Sequence, residues 1–187
     1  MTDLAHTSVP AWAAAPASVP TASTARALLD PVVPGASYVL VGVGPESEPI
    51  LADLAVAQPA ATLLRESTDA EATEAMATLI AGASVGLRLV LVGSRGSCLR
   101  LRAAMVRAGL EDDEIAVVVT SAGALDVHCA HCGTRTTVHA EIGEVVRCSR
   151  CALDLVVYHH VSRRTGTYLG YQVDAETATV SGLEAAS

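Results

Sequence analysis

The 187-residue chain has no phenylalanine, no lysine, one tryptophan and four tyrosines. Apolar residues make up 51% of it, yet aromatics only 3%, so any core must be assembled from small aliphatic side chains, chiefly Ala and Val. All twelve basic residues are arginine, a feature of genome composition before function. Positive charge is scarce as well: the net charge is −8, and residues 1–126 hold fourteen carboxylates against seven arginines, while residues 127–176 hold five of each. A first domain of that sign repels a phosphate backbone, which argues against nucleic acid as a partner of the whole chain. No apolar run reaches the roughly eighteen residues that a membrane span requires, since Arg88 interrupts the best candidate. The opening Met-Thr-Asp-Leu-Ala-His carries neither a basic n-region nor an apolar h-region, so the expectation is a soluble, cytoplasmic protein with no membrane partner.

Against these shortages stands a concentration of sulfur. Four of the five cysteines form Cys129-Ala-His-Cys132 and, fifteen residues later, Cys148-Ser-Arg-Cys151. Two CxxC knuckles at that separation bring four soft thiolates to one point, and Zn2+ suits a tetrahedral sulfur site because it imposes no d-electron geometry. Iron in a rubredoxin-like site uses the same ligands and differs only in the metal. Disulfides require an oxidising compartment, and a redox-active CxxC is usually single and sits at a helix start. A closed site of four thiolates leaves no position for substrate, so the expected role is structural, the ion replacing a core.

The chain ahead of the knuckles alternates strand and helix patterns. Residues 1–24, rich in Ala, Pro, Ser and Thr without a period, read as a flexible arm carrying Trp12, with a short helix possible near residues 24–29. Residues 38–43 are a continuous apolar run, residues 87–93 another strand of the buried type, residues 61–65 a short strand and residues 114–120 a fourth, and residues 45–57, 68–81 and 94–108 have helical spacing. Thr68-Asp-Ala-Glu71 supplies a capping box, and Gly109 a C′ residue. Strands apolar on both faces, alternating with helices, predict an α/β domain with a parallel Rossmann-like sheet over residues 25–122, covered by helices on both sides. A small β zinc-ribbon domain over residues 127–176 and a tail over 177–187 complete the expected order.

Ligands of such sheets sit at the carboxyl ends of the strands. There the candidates are Gly42 and Gly44 in the first loop and Gly93 and Ser94 in the later one, where glycine lets a helix N-terminus approach a phosphate. Glycines that simply turn the chain are the plainer reading, because the third glycine of the fingerprint is missing. Glu46 and Glu48 already satisfy the first helix dipole and would repel a pyrophosphate. Cys98, just inside the third helix, reads as a small core residue.

Between the knuckles, residues 134–140 and 145–147 are expected to form a hairpin, with further strands over 154–161 and 167–173. Gly133 fits the tight turn of the first knuckle, and Ala152 stands at the equivalent place in the second. His128 and His131 flank the first cysteines but are not needed as ligands when four thiolates are present. His159 and His160, adjacent on a strand, face opposite sides. Arg135, Arg147, Arg150, Arg163 and Arg164 are candidates to offset the two negative charges of a four-thiolate zinc cluster. Ser162-Arg-Arg-Thr-Gly-Thr-Tyr-Leu-Gly-Tyr171 combines residue types that interfaces favour, so Arg163, Arg164, Tyr168 and Tyr171 are read as a partner-docking surface.

Cys129-Ala-His-Cys132-Gly-Thr, Val-Arg-Cys148-Ser-Arg-Cys151 and His-His-Val-Ser-Arg-Arg-Thr-Gly-Thr-Tyr-Leu-Gly-Tyr-Gln-Val-Asp-Ala-Glu176 together resemble the C-terminal region of the small DmmA-like subunit of dimethylamine monooxygenase. The stretch from Leu89-Val-Leu-Val-Gly-Ser to Asp-Asp-Glu-Ile115 is similar to the closing strand-helix-strand of the pyridine-nucleotide module of ferredoxin reductases. Gly42-Val-Gly44 with Pro49 is a distorted counterpart of that family's GxGxxP loop, and Gly93-Ser-Arg replaces its later Cys-Gly-Pro. The resemblance implies an accessory zinc subunit whose partner subunits hold haem, FMN and iron–sulfur centres. Together they would oxidise dimethylamine to methylamine and formaldehyde with NADPH and dioxygen. A stand-alone NAD(P)-binding electron-transfer component and an independent zinc-ribbon adaptor are the alternatives.

Overall fold

The computed structural model describes residues 7–14, 27, 37–83 and 85–175; the expected tail and most of the helix near residues 24–29 lie outside them. Strands β1 (Ser37–Val43), β2 (Thr62–Glu66), β3 (Leu87–Ser94) and β4 (Ile115–Ser121) form one sheet in the order β2-β1-β3-β4, and every pairing is parallel. The Val/Leu/Ile runs of β1, β3 and β4 are buried on both faces because helices cover both, while the edge strand β2 is only partly buried. Leu40, Val90, Val92 and Val118 meet Ile50, Leu51 and Leu54 of α2 (Glu48–Ala57) on one side. Val39, Val41, Leu89 and Leu91 meet Met76 of α3 (Asp69–Ala81) and Cys98, Leu101 and Met105 of α4 (Arg95–Arg107) on the other.

Local signals account for the helix ends. The Thr68 hydroxyl accepts from the Glu71 N–H at 3.3 Å, and the Glu71 carboxylate accepts from the Thr68 N–H at 3.0 Å, the reciprocal bonds of a capping box. Ser94 caps α4 by accepting from the Ser97 N–H at 3.2 Å. Beyond α4 the chain turns at Gly109, where φ is +105°. No helix among the described residues is long and apolar enough to cross a membrane.

The second sheet comprises β5 (Leu125–Cys129), β6 (Arg135–Val138), β7 (Val145–Arg147), β8 (Asp154–Val161) and β9 (Tyr168–Gln172), in the order β6-β5-β9-β8-β7. The hairpin expected between the knuckles does not form. β6 pairs with β5, running from Leu125 opposite Val138 to His128 opposite Arg135, and β7 pairs with β8. The reason lies in the knuckles themselves, each of which is a tight turn joining the two strands that flank it.

Two further expectations are corrected. The sulfur cluster does not stand in for a core, since Leu125, Val127, Leu155, Val157, Val161 and Tyr168 pack with Cys129 and Cys148 in a buried cluster of the second sheet. Nor is the whole stretch over residues 1–24 a free arm. Val9 and Ala13, the latter in α1 (Ala11–Ala14), are buried in that same cluster, and Trp12 packs against both cores. The Ser8 hydroxyl accepts from the Val161 N–H at 2.9 Å. Small apolar residues every few positions sufficed to bury this short segment across the junction.

Helix α4 contributes side chains to the cores of both sheets. Leu99 belongs to the core of the second sheet, and two glycines allow backbones to meet there. A Cβ on Gly96 would lie 1.8 Å from the Ala124 carbonyl oxygen, and one on Gly166 would lie 2.4 Å from that of Leu99. Around this contact Arg95 pairs with Glu141 at 2.7 Å, Arg100 with Asp69 and Asp126, and Arg102 and Arg163 with Asp112. Arg95 is only 3% exposed, and a buried guanidinium needs such a carboxylate.

Candidate metal centre

The knuckles are built alike. In the first, the Cys129 carbonyl accepts from the Gly133 N–H at 2.9 Å and the Cys129 N–H donates to Thr134 at 2.9 Å. In the second, the Cys148 carbonyl accepts from the Ala152 N–H at 3.1 Å and the Cys148 N–H donates to Leu153 at 2.9 Å. Both turns need a residue with positive φ, +72° at Gly133 and +58° at Ala152, the one non-glycine in that region among the described residues. Left-handed backbone costs an L-residue about 1 kcal/mol, so Ala152→Gly is expected to stabilise the fold by about 0.5–1 kcal/mol. Thermal melts should show a rise of a few degrees; no rise, or a fall, would mean the turn is not strained.

The two turns deliver Cys129, Cys132, Cys148 and Cys151 to one place, with all four sulfur atoms within 4.8 Å of one another. Cys129 Sγ lies 3.7 Å from Cys151 Sγ, and Cys132 Sγ lies 3.6 Å from Cys148 Sγ. A zinc–sulfur bond of ~2.3 Å gives a tetrahedron with edges of about 3.8 Å. The observed spacing fits that figure and far exceeds the ~2.05 Å of a disulfide; all five cysteines are free thiols. The donor set therefore fits a tetrahedral thiophilic ion, with Cys129 and Cys148 buried and Cys132 and Cys151 partly so.

Hydrogen bonds from the knuckle turns favour the thiolate at Cys148 and Cys132. The N–H groups of Cys151 and Arg150 hold Cys148 down at about 6. The hydroxyl and N–H of Thr134 lower Cys132. At Cys151 the Leu153 N–H also acts to lower the thiol, but desolvation and the three neighbouring sulfurs raise it to about 12. Because a metal ligand must lose its proton, metal affinity should fall as pH falls. Ser149 ties the second knuckle to β6, its N–H donating to the Thr136 hydroxyl at 3.1 Å. Cys98 is remote from this chemistry: burial pushes its thiol up to about 12, opposed by Arg100, as suits a small core residue.

The other candidate residues are dispersed. Of the arginines expected to offset the cluster's charge, only Arg150 bonds a knuckle, donating to the Cys132 carbonyl at 3.5 Å. Arg135, Arg147 and Arg163 are drawn instead to Asp126, Asp154 and Asp112. His128 and His131 are exposed and outside the ligand group. In the expected docking surface Tyr168 must be corrected: it is fully buried, with burial raising its hydroxyl pKa against the neighbouring Arg95. Tyr168 and Tyr171 are three apart on one strand and so point to opposite faces. Tyr171 is exposed and meets Tyr158 edge-on at 5.2 Å.

The glycine loops are packed from within the chain. A Cβ at Gly42 would lie 2.0 Å from Leu51 Cδ1, and Gly44, at φ +79°, donates to the Glu66 carbonyl at 3.0 Å. The adjoining cleft, about 300 Å³, is bordered by Glu48, Glu66 and Arg65, and Arg65 is paired with Glu48. At the other loop, a Cβ on Gly93 would lie 3.3 Å from the Val43 carbonyl oxygen, while Ser94 is taken up in capping α4. The 122–124 linker crosses that helix end, Gly123 against Ser94 and Ala124 against Gly96. Sequence reading missed this linker contact and the Thr134 bonds to Cys132. The second had a local sign in Cys132-Gly-Thr; the first depended on how two sheets meet.

Fold and site together define an α/β chain with a parallel sheet and a separate small β sheet carrying a four-cysteine cluster able to hold a metal ion. Residues 126–171, which contain that cluster, match the family described as dimethylamine monooxygenase subunit DmmA-like, C-terminal domain. A heme-dependent oxidative N-demethylase delta subunit from Ectopseudomonas mendocina (strain ymp) is 37% identical over 101 residues, 54% of this chain and 57% of that relative. The match thus spans little more than half the relative's length. No solved structure matches the chain significantly.

Proposed function

We propose that this chain is an accessory, zinc-carrying subunit of an oxidative amine-demethylating complex of the dimethylamine monooxygenase type. The observation that carries the reading is that the DmmA-like region is the same one that gathers four sulfurs at tetrahedral spacing. Four thiolates fill the ion's coordination, so the ion shapes a surface and takes no part in the reaction. Partner subunits would hold haem, FMN and iron–sulfur centres and oxidise dimethylamine to methylamine and formaldehyde, consuming NADPH and dioxygen. This chain supports their assembly or the passage of electrons to the haem subunit. The reading of a free-standing NAD(P) carrier is disfavoured by carboxylates at the first loop and by the linker across the second. Expressing the partner subunits with and without this chain tests the proposal. Omitting it should abolish assembly or cut dimethylamine-dependent NADPH oxidation at least about tenfold, and unchanged assembly with unchanged turnover would reject it.

A further inference from the structure

Eight of the eleven arginines among the described residues have a carboxylate partner within 4.0 Å. Of the three that do not, Arg107, Arg150 and Arg164, two line one cleft. This cleft of about 500 Å³ lies where α3 and α4 meet the four-cysteine domain, and Arg100, Arg107, Arg135 and Arg164 surround it. Asp69 is its one carboxylate, and the neighbouring Asp126 is buried and shared by Arg100 and Arg135. Four guanidinium groups against two carboxylates leave a net positive cleft on a chain of net charge −8. Arg107 donates to the Arg164 backbone carbonyl, a bond across the junction of the domains, and both arginines line the cleft.

We propose that this cleft receives an acidic segment of a partner subunit, whose carboxylates pair with Arg107 and Arg164. Guanidinium forks favour bidentate carboxylate bonds, and an isolated positive patch on an acidic protein steers such a segment to one place. The remaining lining, Ala70, Thr73, Ala104 and Thr165, is small and offers no ring for a base to stack on, so a nucleotide fits less well. Nucleic acid is disfavoured by the charge of the rest of the surface. The inference rests on the subunit role proposed above and adds the place and chemistry of contact.

The test measures binding of the isolated partner subunits to the full chain and to the Arg107→Glu and Arg164→Glu variants, at low and high salt. A labelled hexaglutamate peptide and inorganic phosphate serve as probes, and Arg65→Glu, on the far side of the sheet domain, is the control. Each cleft variant should weaken partner and peptide binding by about tenfold or more and flatten the salt dependence, while the control stays within about twofold of wild type. Thermal melts confirm that both exposed-site variants fold; should one not, Arg107→Gln and Arg164→Gln carry the comparison. If the wild-type chain binds no partner, the subunit reading fails and this proposal with it. If wild type binds and the cleft variants bind equally well, this proposal alone is overturned. Tight phosphate binding without peptide binding overturns it too, in favour of a small oxyanion ligand.

Discussion

Cys148→Ser should lose the metal and, with it, the order of both knuckles. Cys148 is the buried cysteine of the second knuckle, its sulfur held toward thiolate by two backbone N–H groups, and a serine hydroxyl cannot supply the soft donor that the proposed site needs. Metal content should fall from one ion per chain to near zero after dialysis against a mild chelator. Structural zinc sites contribute on the order of 10 kcal/mol in small peptides, and even a fraction of that is large beside the stability of a domain. The loss should be regional. Hydrogen exchange is expected to accelerate over residues 129–134 and 148–153, where paired turn bonds depend on the cysteines. β1 and β3, sealed between α2 on one side and α3 and α4 on the other, should keep their protection. Uniform loss across the chain, or none at the knuckles, would contradict this division.

Gly166→Ala should be severely destabilising, because a positive φ and a backbone clash act at the same position. At φ +69° the backbone already resists a side chain, and the added Cβ would lie 2.4 Å from the Leu99 carbonyl oxygen and 3.1 Å from the Arg100 nitrogen. Both belong to the interior of α4, which cannot yield without breaking its ladder. The 162–167 loop must lift away, taking with it the Arg163–Asp112 pair and the Arg107 bond to the Arg164 carbonyl. A cost of about 3 kcal/mol or more follows, a drop of roughly 6–12 °C in melting temperature for a chain of this size. Gly143→Ala isolates the backbone share: its φ is +92°, with no atom near the added group, so it should cost only about 1 kcal/mol. Equal losses in the two variants would mean that the domains do not lean on each other at Gly166.

These expectations mark where the sequence was informative. The strands at 38–43 and 87–93 and the Thr68–Glu71 capping box were readable because each is decided within a few residues, and the gathering of the four cysteines was readable from the spacing of two CxxC pairs. The union of the two sheets was not. Arg95, Arg100 and Arg102 look like a solvated face of α4, yet they are held by Glu141, Asp126 and Asp112, two of which arrive from the second domain. The same holds for Val9 and Ala13, whose burial depends on partners from the second sheet. Tyr168 was a different matter, since strand alternation alone sets it and Tyr171 on opposite faces. The hairpin expected between the knuckles failed for a physical reason that was also local: a CxxC turn closed by its own amide bonds joins its flanking strands first.

Metal analysis of the purified full-length chain, paired with hydrogen exchange before and after chelation, tests the central claim most directly. One colourless zinc ion per chain, with protection over the knuckles lost when it is stripped, is the result expected. A chain that carries no ion and keeps the same protection from residue 125 to residue 172 would contradict it.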